Sequence, residues 1–234
     1  MTFRHRFFVA LCLGVAVLLA GCGSKEPAQR AAFIEFLQTR ILDKPGLRVP
    51  KLTEEEKTKL GEYTSHYAVI ADFNSGMDAA VGKPMNELII KGQIRSISDV
   101  VARRADIKTV QDGMVALRTA LDKQQATADQ ARAALKQPDD LKAVYDKAYD
   151  RTVTTPAATF REVFPAIDAT LAETLKIAGF LDANAAKVKI SGATVQVSDP
   201  ATLAEFNGMV QALQQRGAEL QNAQRKLQTM VRGG

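Results

Sequence analysis

Two long segments with regular apolar spacing constrain the fold of this chain more than any other feature. In each, apolar or small residues recur at alternating steps of three and four, from Ile107 to Leu135 and from Leu203 to Val231. This spacing is typical of helices that pack along a coiled-coil-like seam. At about 1.5 Å per residue, helices of about 30 residues are roughly 45 Å long. The pattern therefore predicts a mostly all-α fold, an elongated multi-helix bundle built on these two helices.

The sequence does not determine which helices pack against the two seams. We expect each to be an intramolecular bundle seam rather than an intermolecular coiled coil. Whether the two seams pack on each other, and in which oligomeric state, does not follow from the sequence. Small residues at Ala128, Ala131 and Gly217 predict that helix backbones approach closely there.

Shorter helices are predicted before and between the long ones. Thr53 followed by Glu56 forms a capping box that opens a helix, and we expect Gly82 and Pro84 to end it. Three further helices are predicted over residues 84–97, 139–153 and 157–186, the last with a kink or restart at Pro165.

One short stretch has the period of a strand instead. The sequence VKISGATVQV, residues 188–197, alternates apolar and polar residues around Ser-Gly, which predicts one small β-hairpin. An isolated hairpin is marginally stable in water. Its apolar face is therefore expected to lie on a helix.

The N-terminus reads as a targeting segment. Arg4 and Arg6 precede an uncharged apolar run from Phe7 to Ala20, which is shorter than the roughly 20 residues that span a bilayer. A positive head, a short apolar run and small residues before a break are typical of a secretory signal peptide. We therefore predict that residues 1–21 are a removed signal peptide, residues 22–26 a short tether and residues 27–234 a single helical domain.

Residues Leu19, Ala20, Gly21 and Cys22 resemble the lipobox of bacterial lipoproteins. The resemblance implies cleavage before Cys22, a diacylglycerol thioether on its sulfur and an acyl chain on its new amine. Several acyl chains would anchor the protein stably in a membrane. Gly23, where inner-membrane lipoproteins commonly carry Asp, implies the periplasmic face of the outer membrane, with the inner membrane as the less favoured site. The alternative is an uncleaved anchor or a buried apolar cysteine.

The charge of the remaining chain is mild. Without Arg4 and Arg6 the basic residues number 31 − 2 = 29 against 26 acidic ones, a net charge of about +3. A mild charge with few aromatic residues predicts no nucleic-acid partner. Weak attraction to anionic lipid headgroups or to the cell wall stays open.

Reactive side chains are sparse outside the signal peptide. His66 is then the one histidine, so a multi-histidine metal site is not expected, and no G-x-S-x-G or phosphate-binding glycine loop is present. The carboxylate clusters at 54–56 and 139–140 fit first turns of helices. We predict no enzyme, no catalytic or metal-binding residues and no cofactor beyond the lipid on Cys22.

The stretches CGSKEPAQRAAFIEFLQTRIL and LKQPDDLKAVYDKAYDRTVTTPA, with the hairpin-then-helix ending, resemble an uncharacterised lipoprotein family of Gram-negative bacteria, domain of unknown function 3053. The resemblance implies that the protein is a lipid-anchored lipoprotein, and it assigns no functional residue beyond Cys22.

The sequence thus favours a non-catalytic binding or scaffold module, anchored in the outer membrane, for an envelope protein or the cell wall. Such a module should expose an apolar patch on a helix face. The alternative is a carrier or sensor of a lipid-like ligand held between helices, which requires an enclosed apolar cavity. A hydrolase with paired, buried carboxylates is the third hypothesis.

Overall fold

The computed structural model describes residues 25–191 and 194–233, and over these ranges the chain is mostly helical. The α-helices are α1 Glu26–Leu37, α2 Glu54–Leu60, α3 Tyr63–Met77, α4 Lys83–Lys91, α5 Ile97–Ala102, α6 Arg104–Ala133, α7 Asp139–Tyr149, α8 Thr155–Ala183 and α9 Pro200–Arg232. Strands β1 Val188–Ser191 and β2 Thr194–Val197 lie between α8 and α9. The predicted all-α class with one small hairpin is confirmed.

Side-chain caps fix several helix starts. Thr53 accepts a hydrogen bond from the Glu56 amide, and Glu56 accepts one from the Thr53 amide, so the predicted capping box is confirmed. A second capping box, Ser96 with Asp99, opens α5. Asp199 accepts a hydrogen bond from the Thr202 amide at the start of α9.

Within the described residues, five-residue π-helical turns lie at Gln38–Leu42, after α1, at Asp78–Gly82, and at Asp150–Thr154, between α7 and α8. The second joins α3 to α4 without a break, so the prediction that Gly82 and Pro84 end a helix is wrong. The break lies earlier, at Gly61, whose φ of +58° lets the chain turn between α2 and α3. The predicted helix over 84–97 ends at Lys91, and α5 starts at Ile97.

Both long helices are present, and both pack on α8. Helix α8 continues through Pro165, and α6 also packs on α3. On α9 the buried residues near its start are Thr202 and Phe206, whereas the predicted seam residue Leu203 is 41% exposed. A Cβ atom on Gly217 would have no neighbouring element within 4 Å, so the prediction of a close approach there is wrong.

The described residues bury two apolar clusters. The larger is formed by α1 to α4, α6, α7, the first half of α8 and the turns between them. The smaller joins α5, the end of α8, the hairpin and the start of α9. Strand residues Val188 and Val197 pair, as do Ile190 and Val195, and these four belong to or pack against the smaller cluster. The prediction that the apolar face of the hairpin lies on helices is confirmed.

Contacts define two ends of the bundle. At one end the start of α1 lies beside the α2–α3 junction, where Gln29 contacts Gly61, and beside the start of α7, where Arg30 lies 3.4 Å from Asp140. At the other end the start of α6 contacts the end of α8 through Arg104 and Asp182. Helix α6, about 45 Å long at about 1.5 Å per residue, connects the α1 end to the hairpin end.

Candidate functional site

The predicted lipid-attachment residues lie outside the described residues. These are Cys22, the lipobox residues Leu19, Ala20 and Gly21, and the sorting residue Gly23. The first described residue is Lys25, and α1 begins directly after it at Glu26. Among the described helices, none has the length and apolar content needed to cross a bilayer.

The start of α1 is fixed to the bundle by polar contacts. The Tyr63 hydroxyl donates a hydrogen bond to the Glu26 carboxylate. Arg30 lies 3.6 Å from Glu26 and 3.4 Å from Asp140. The folded body therefore begins at Glu26, the last residue of the predicted 22–26 tether, of which residues 22–24 lie outside the described range.

The chain's four tyrosines all belong to the larger core cluster. Phe33 stacks on Tyr63 at 5.6 Å between ring centroids, and Tyr145 stacks on Tyr149 at 6.3 Å. Each hydroxyl donates a hydrogen bond. Tyr67 and Tyr145 donate to the main-chain oxygens of Pro50 and His66, and Tyr63 and Tyr149 donate to the carboxylates of Glu26 and Asp129.

Burial, the first cause in each case, raises the pKa of all four tyrosines, that of Tyr63 to about 12. A phenol with a raised pKa is protonated at neutral pH and cannot act there as a base. The aromatic cluster is therefore a structural core. Its members Tyr145 and Tyr149 were missed by sequence reasoning, although their spacing of four on a helix is visible in the sequence.

His66 lies at the edge of this cluster. Its ring meets Tyr63 edge-on at 5.1 Å, and Gln137 Nε2 lies 3.1 Å from its Nδ1. Burial lowers the pKa of His66, and the nearby Glu62 carboxylate opposes that shift. His66 is thus a hydrogen-bonded, half-buried side chain at the edge of the core. Among the described residues, no group of three or more His, Cys, Asp or Glu side chains could hold a metal ion.

The segment between α1 and α2 is held as an ordered strap, which we define as residues 43–52. The Arg151 guanidinium donates to the carbonyl oxygens of Leu42 at 2.9 Å and Gly46 at 3.3 Å, and also to that of Lys44. The Leu47 amide donates to the Val231 carbonyl at 3.1 Å, at the end of α9. The Tyr67 hydroxyl donates a hydrogen bond to the Pro50 carbonyl oxygen at 2.6 Å.

Two glycines make the contact between the strap and α9 possible. Gly46 has a φ of +69°, and a Cβ atom there would lie 2.4 Å from the Val231 oxygen. Gly233 has a φ of +78° and would meet the Gly46 nitrogen at 2.2 Å. Only residues without a Cβ fit both backbones. The Pro and Gly content of DKPGLRVPK, residues 43–51, indicates a loop, but not the partners of that loop.

Besides a cleft of about 550 Å³ lined by Gly46, Leu47 and Arg151, two open clefts adjoin the strap within the described residues. The groove between the strap and α3 has a volume of about 760 Å³, with half-buried Leu52, Ala68 and Ala71 and the buried Tyr67 ring among its lining. Charged residues at its rim include Lys51, Lys57, Lys83, Asp72 and Asp78. We call it the α3 groove.

The second cleft, on the α1 side, has a volume of about 650 Å³. Its lining includes Arg40, Lys44 and Arg48, together with Pro45, Leu47, Val49 and Pro50. Val49 and Pro50 line both clefts, which therefore adjoin across the strap. We call this second one the basic cleft.

These features define an all-α bundle protein with an aromatic core and open surface clefts. The chain belongs to the family described as "Protein of unknown function (DUF3053)", whose model matches residues 9–228. The resemblance drawn from the sequence is thereby confirmed.

Similar proteins carry no assigned activity in their names. The chain is 29% identical to the "Uncharacterized protein YiaF" of Escherichia coli K12 over 210 residues, which cover 89% of each chain. Proteins of that name from Escherichia coli O157:H7 and Shigella flexneri match equally well. No solved structure matches the chain significantly.

Proposed function

We propose that this protein is a non-catalytic binding module of the bacterial envelope, held at the periplasmic face of the outer membrane by acyl chains on Cys22. Its partner is an envelope protein that inserts an extended segment into the α3 groove. The observation that carries the proposal is the ordered strap with an open, apolar-floored groove beside it.

The groove has the composition of a peptide-binding surface. Small side chains, Ala68 and Ala71, leave room over the helix, and Leu52 provides an apolar wall. Charges of both signs at the rim, such as Lys51 and Asp72, suit a polar border around an apolar centre. Tyr67 holds the strap wall by its bond to Pro50, so binding requires little ordering.

The carrier hypothesis requires an enclosed apolar cavity. The clefts described above are open to solvent, which favours a surface-binding role over a ligand held inside the bundle. A second apolar surface lies on α4, where Ile89 and Ile90 are 46% and 60% exposed. It agrees with the expected exposed apolar patch of a binding module.

The test is photo-cross-linking of the full-length protein in intact cells, with the probe placed at Lys51. Ala71→Arg, which fills the groove, should abolish capture of a discrete envelope protein. Ala218→Arg is the matched control, since Ala218 is an exposed alanine on α9. Capture that persists in Ala71→Arg would overturn the groove as the binding surface.

Attachment is tested separately. Mass spectrometry of the mature protein should find three acyl chains on an N-terminal Cys22, and Cys22→Ala should release the protein from the outer-membrane fraction. An unmodified Cys22 thiol in the mature protein would overturn the lipoprotein assignment.

A further inference from the structure

The basic cleft carries an excess of positive charge, of which only Arg40 is paired with a carboxylate among the described residues. Arg40, Lys44 and Arg48 line it, and no acidic side chain does so within the described residues. Arg40 pairs with Glu56 at 2.6 Å. Lys44 and Arg48 form no ion pair among the described residues, and both are exposed. Asp43, on the same strap, does not line the cleft.

A fourth cation lies beneath the strap. The bonds of Arg151 described above go to main-chain oxygens only, so within the described residues no carboxylate neutralises its guanidinium. Arg151 lines a neighbouring cleft, together with Gly46 and Leu47 of the strap and with Asp150, so it acts on the basic cleft by holding the strap.

The backbone that displays these cations is fixed in advance. Arg151, the Leu47 amide and the close contact between Gly46 and Gly233 hold the strap from below. Arg40 is placed by the π-helical turn Gln38–Leu42, with its guanidinium 5.9 Å from the centre of the Phe36 ring. A site of this kind needs little backbone ordering when a ligand binds.

We propose that the basic cleft binds a phosphate group. Arg48 offers a forked donor and Lys44 a single donor, which match several phosphate oxygens, and Arg40 adds positive charge beside its pair with Glu56. A single carboxylate would use fewer of them. The phosphate belongs to a lipid headgroup or to a soluble phosphate ester. The site does not involve Cys22, so this proposal and the lipoprotein proposal can fail independently.

The experiment uses the full-length protein in neutral detergent micelles. One arm titrates glycerol 1-phosphate, and the other titrates dihexanoylphosphatidylglycerol, with calorimetry as the readout. The variant is Lys44→Glu/Arg48→Glu, and the matched control is Lys123→Glu/Arg225→Glu, which makes the same charge change at exposed positions on α6 and α9.

Wild type and control should bind at least one of the two ligands, and the cleft variant should bind it at least tenfold more weakly. Equal affinity in both arms assigns a soluble phosphate, and binding in the lipid arm alone assigns a headgroup. Lys44→Gln/Arg48→Gln should lose affinity as well, with an unchanged thermal midpoint. Absence of binding in both arms, or equal loss in cleft variant and control, would overturn the site.

Discussion

Arg151 Nη1 donates to the main-chain oxygen of Leu42 at 2.9 Å and so joins two π-helical turns that are 109 residues apart along the chain. The guanidinium of Arg151, which belongs to the second turn, thereby contacts the end of the first turn. The same guanidinium also holds the strap. π-helical turns are rare and frequently lie at functional sites. Here they place the strap and the two clefts that our proposals use.

The first prediction concerns this guanidinium. Arg151→Met should lower the free energy of unfolding by about 2–3 kcal/mol, because carbonyl oxygens lose a charged donor that contributes about 1.5–3 kcal/mol. The Leu47 amide should also lose protection from hydrogen exchange. Lys147→Met, an exposed neighbour on α7, is the control and should change neither quantity. Full protection of Leu47 in Arg151→Met would contradict this account of the strap.

The second prediction concerns the main-chain oxygen of Thr152 within a π-helical turn. Asn74 Nδ2 donates to it at 3.1 Å and to the Ile70 oxygen at 3.0 Å. Asn74→Ala leaves the Thr152 oxygen without this donor and should cost about 1–3 kcal/mol in urea unfolding. Ser75→Ala, on the exposed side of the same helix, should cost far less. Equal effects of the two substitutions would argue against a specific role for Asn74.

The long helices and the hairpin could be predicted from the sequence because their periods are local. Steps of three and four over 107–135 identify α6, and strict alternation over 188–197 identifies the hairpin. Caps such as Thr53 with Glu56 are local as well. These elements need no knowledge of their tertiary partners.

The π-helical turns escaped sequence reasoning, yet each lies within a run of buried apolar residues spaced strictly by four. The runs are Phe33, Leu37 and Ile41; Phe73, Met77, Val81 and Met85; and Tyr145, Tyr149, Val153 and Ala157. In an α-helix each step of four rotates the side chain by roughly 40°, so such a run would leave the core face. A π-helical turn holds more residues per turn and keeps the run buried.

The clefts could not be predicted, because they depend on contacts between distant segments. Arg151 gives no sign in the sequence that it reaches Leu42. The close contact between Gly46 and Gly233 forms only because the end of α9 packs beside the strap. The sequence therefore indicates the strap only as a loop. Nothing in it singles out Lys44 or Arg48 as part of a cleft.

The third prediction compares a glycine with a positive φ, Gly46, with a glycine inside a helix, Gly208. Gly46→Ala should lower the free energy of unfolding by about 2 kcal/mol or more, because its positive φ alone costs roughly 1–2 kcal/mol with a Cβ and the Val231 oxygen is in the way. Gly208→Ala should instead stabilise the protein by about 0.5–1 kcal/mol, because Gly208 lies within α9 with open space around its Cβ position. The urea midpoints of the two variants should therefore move in opposite directions.

The last prediction concerns the pH dependence of stability through His66. Because burial lowers the pKa of His66 in the folded chain, the unfolded chain binds more protons as the pH falls through the ordinary value of about 6.5. The stabilisation of the folded chain by neutral His66 is therefore fully present at pH values above the ordinary pKa. It is lost as the pH falls through the lowered pKa of the folded chain. Protonation of Nδ1 would also remove the acceptor for Gln137.

The measurement compares urea midpoints at pH 7.5 and 5.5 in a His5→Gln background, where His66 is the one histidine. The midpoint should fall at pH 5.5, and His66→Gln should reduce that fall, because glutamine does not titrate in this range. Glu56, Asp146 and Asp199, whose pKa values are lowered, stay ionised in this window in both chains. A proton NMR titration that gives His66 a pKa above its ordinary value would contradict the buried, neutral ring and the direction of the effect.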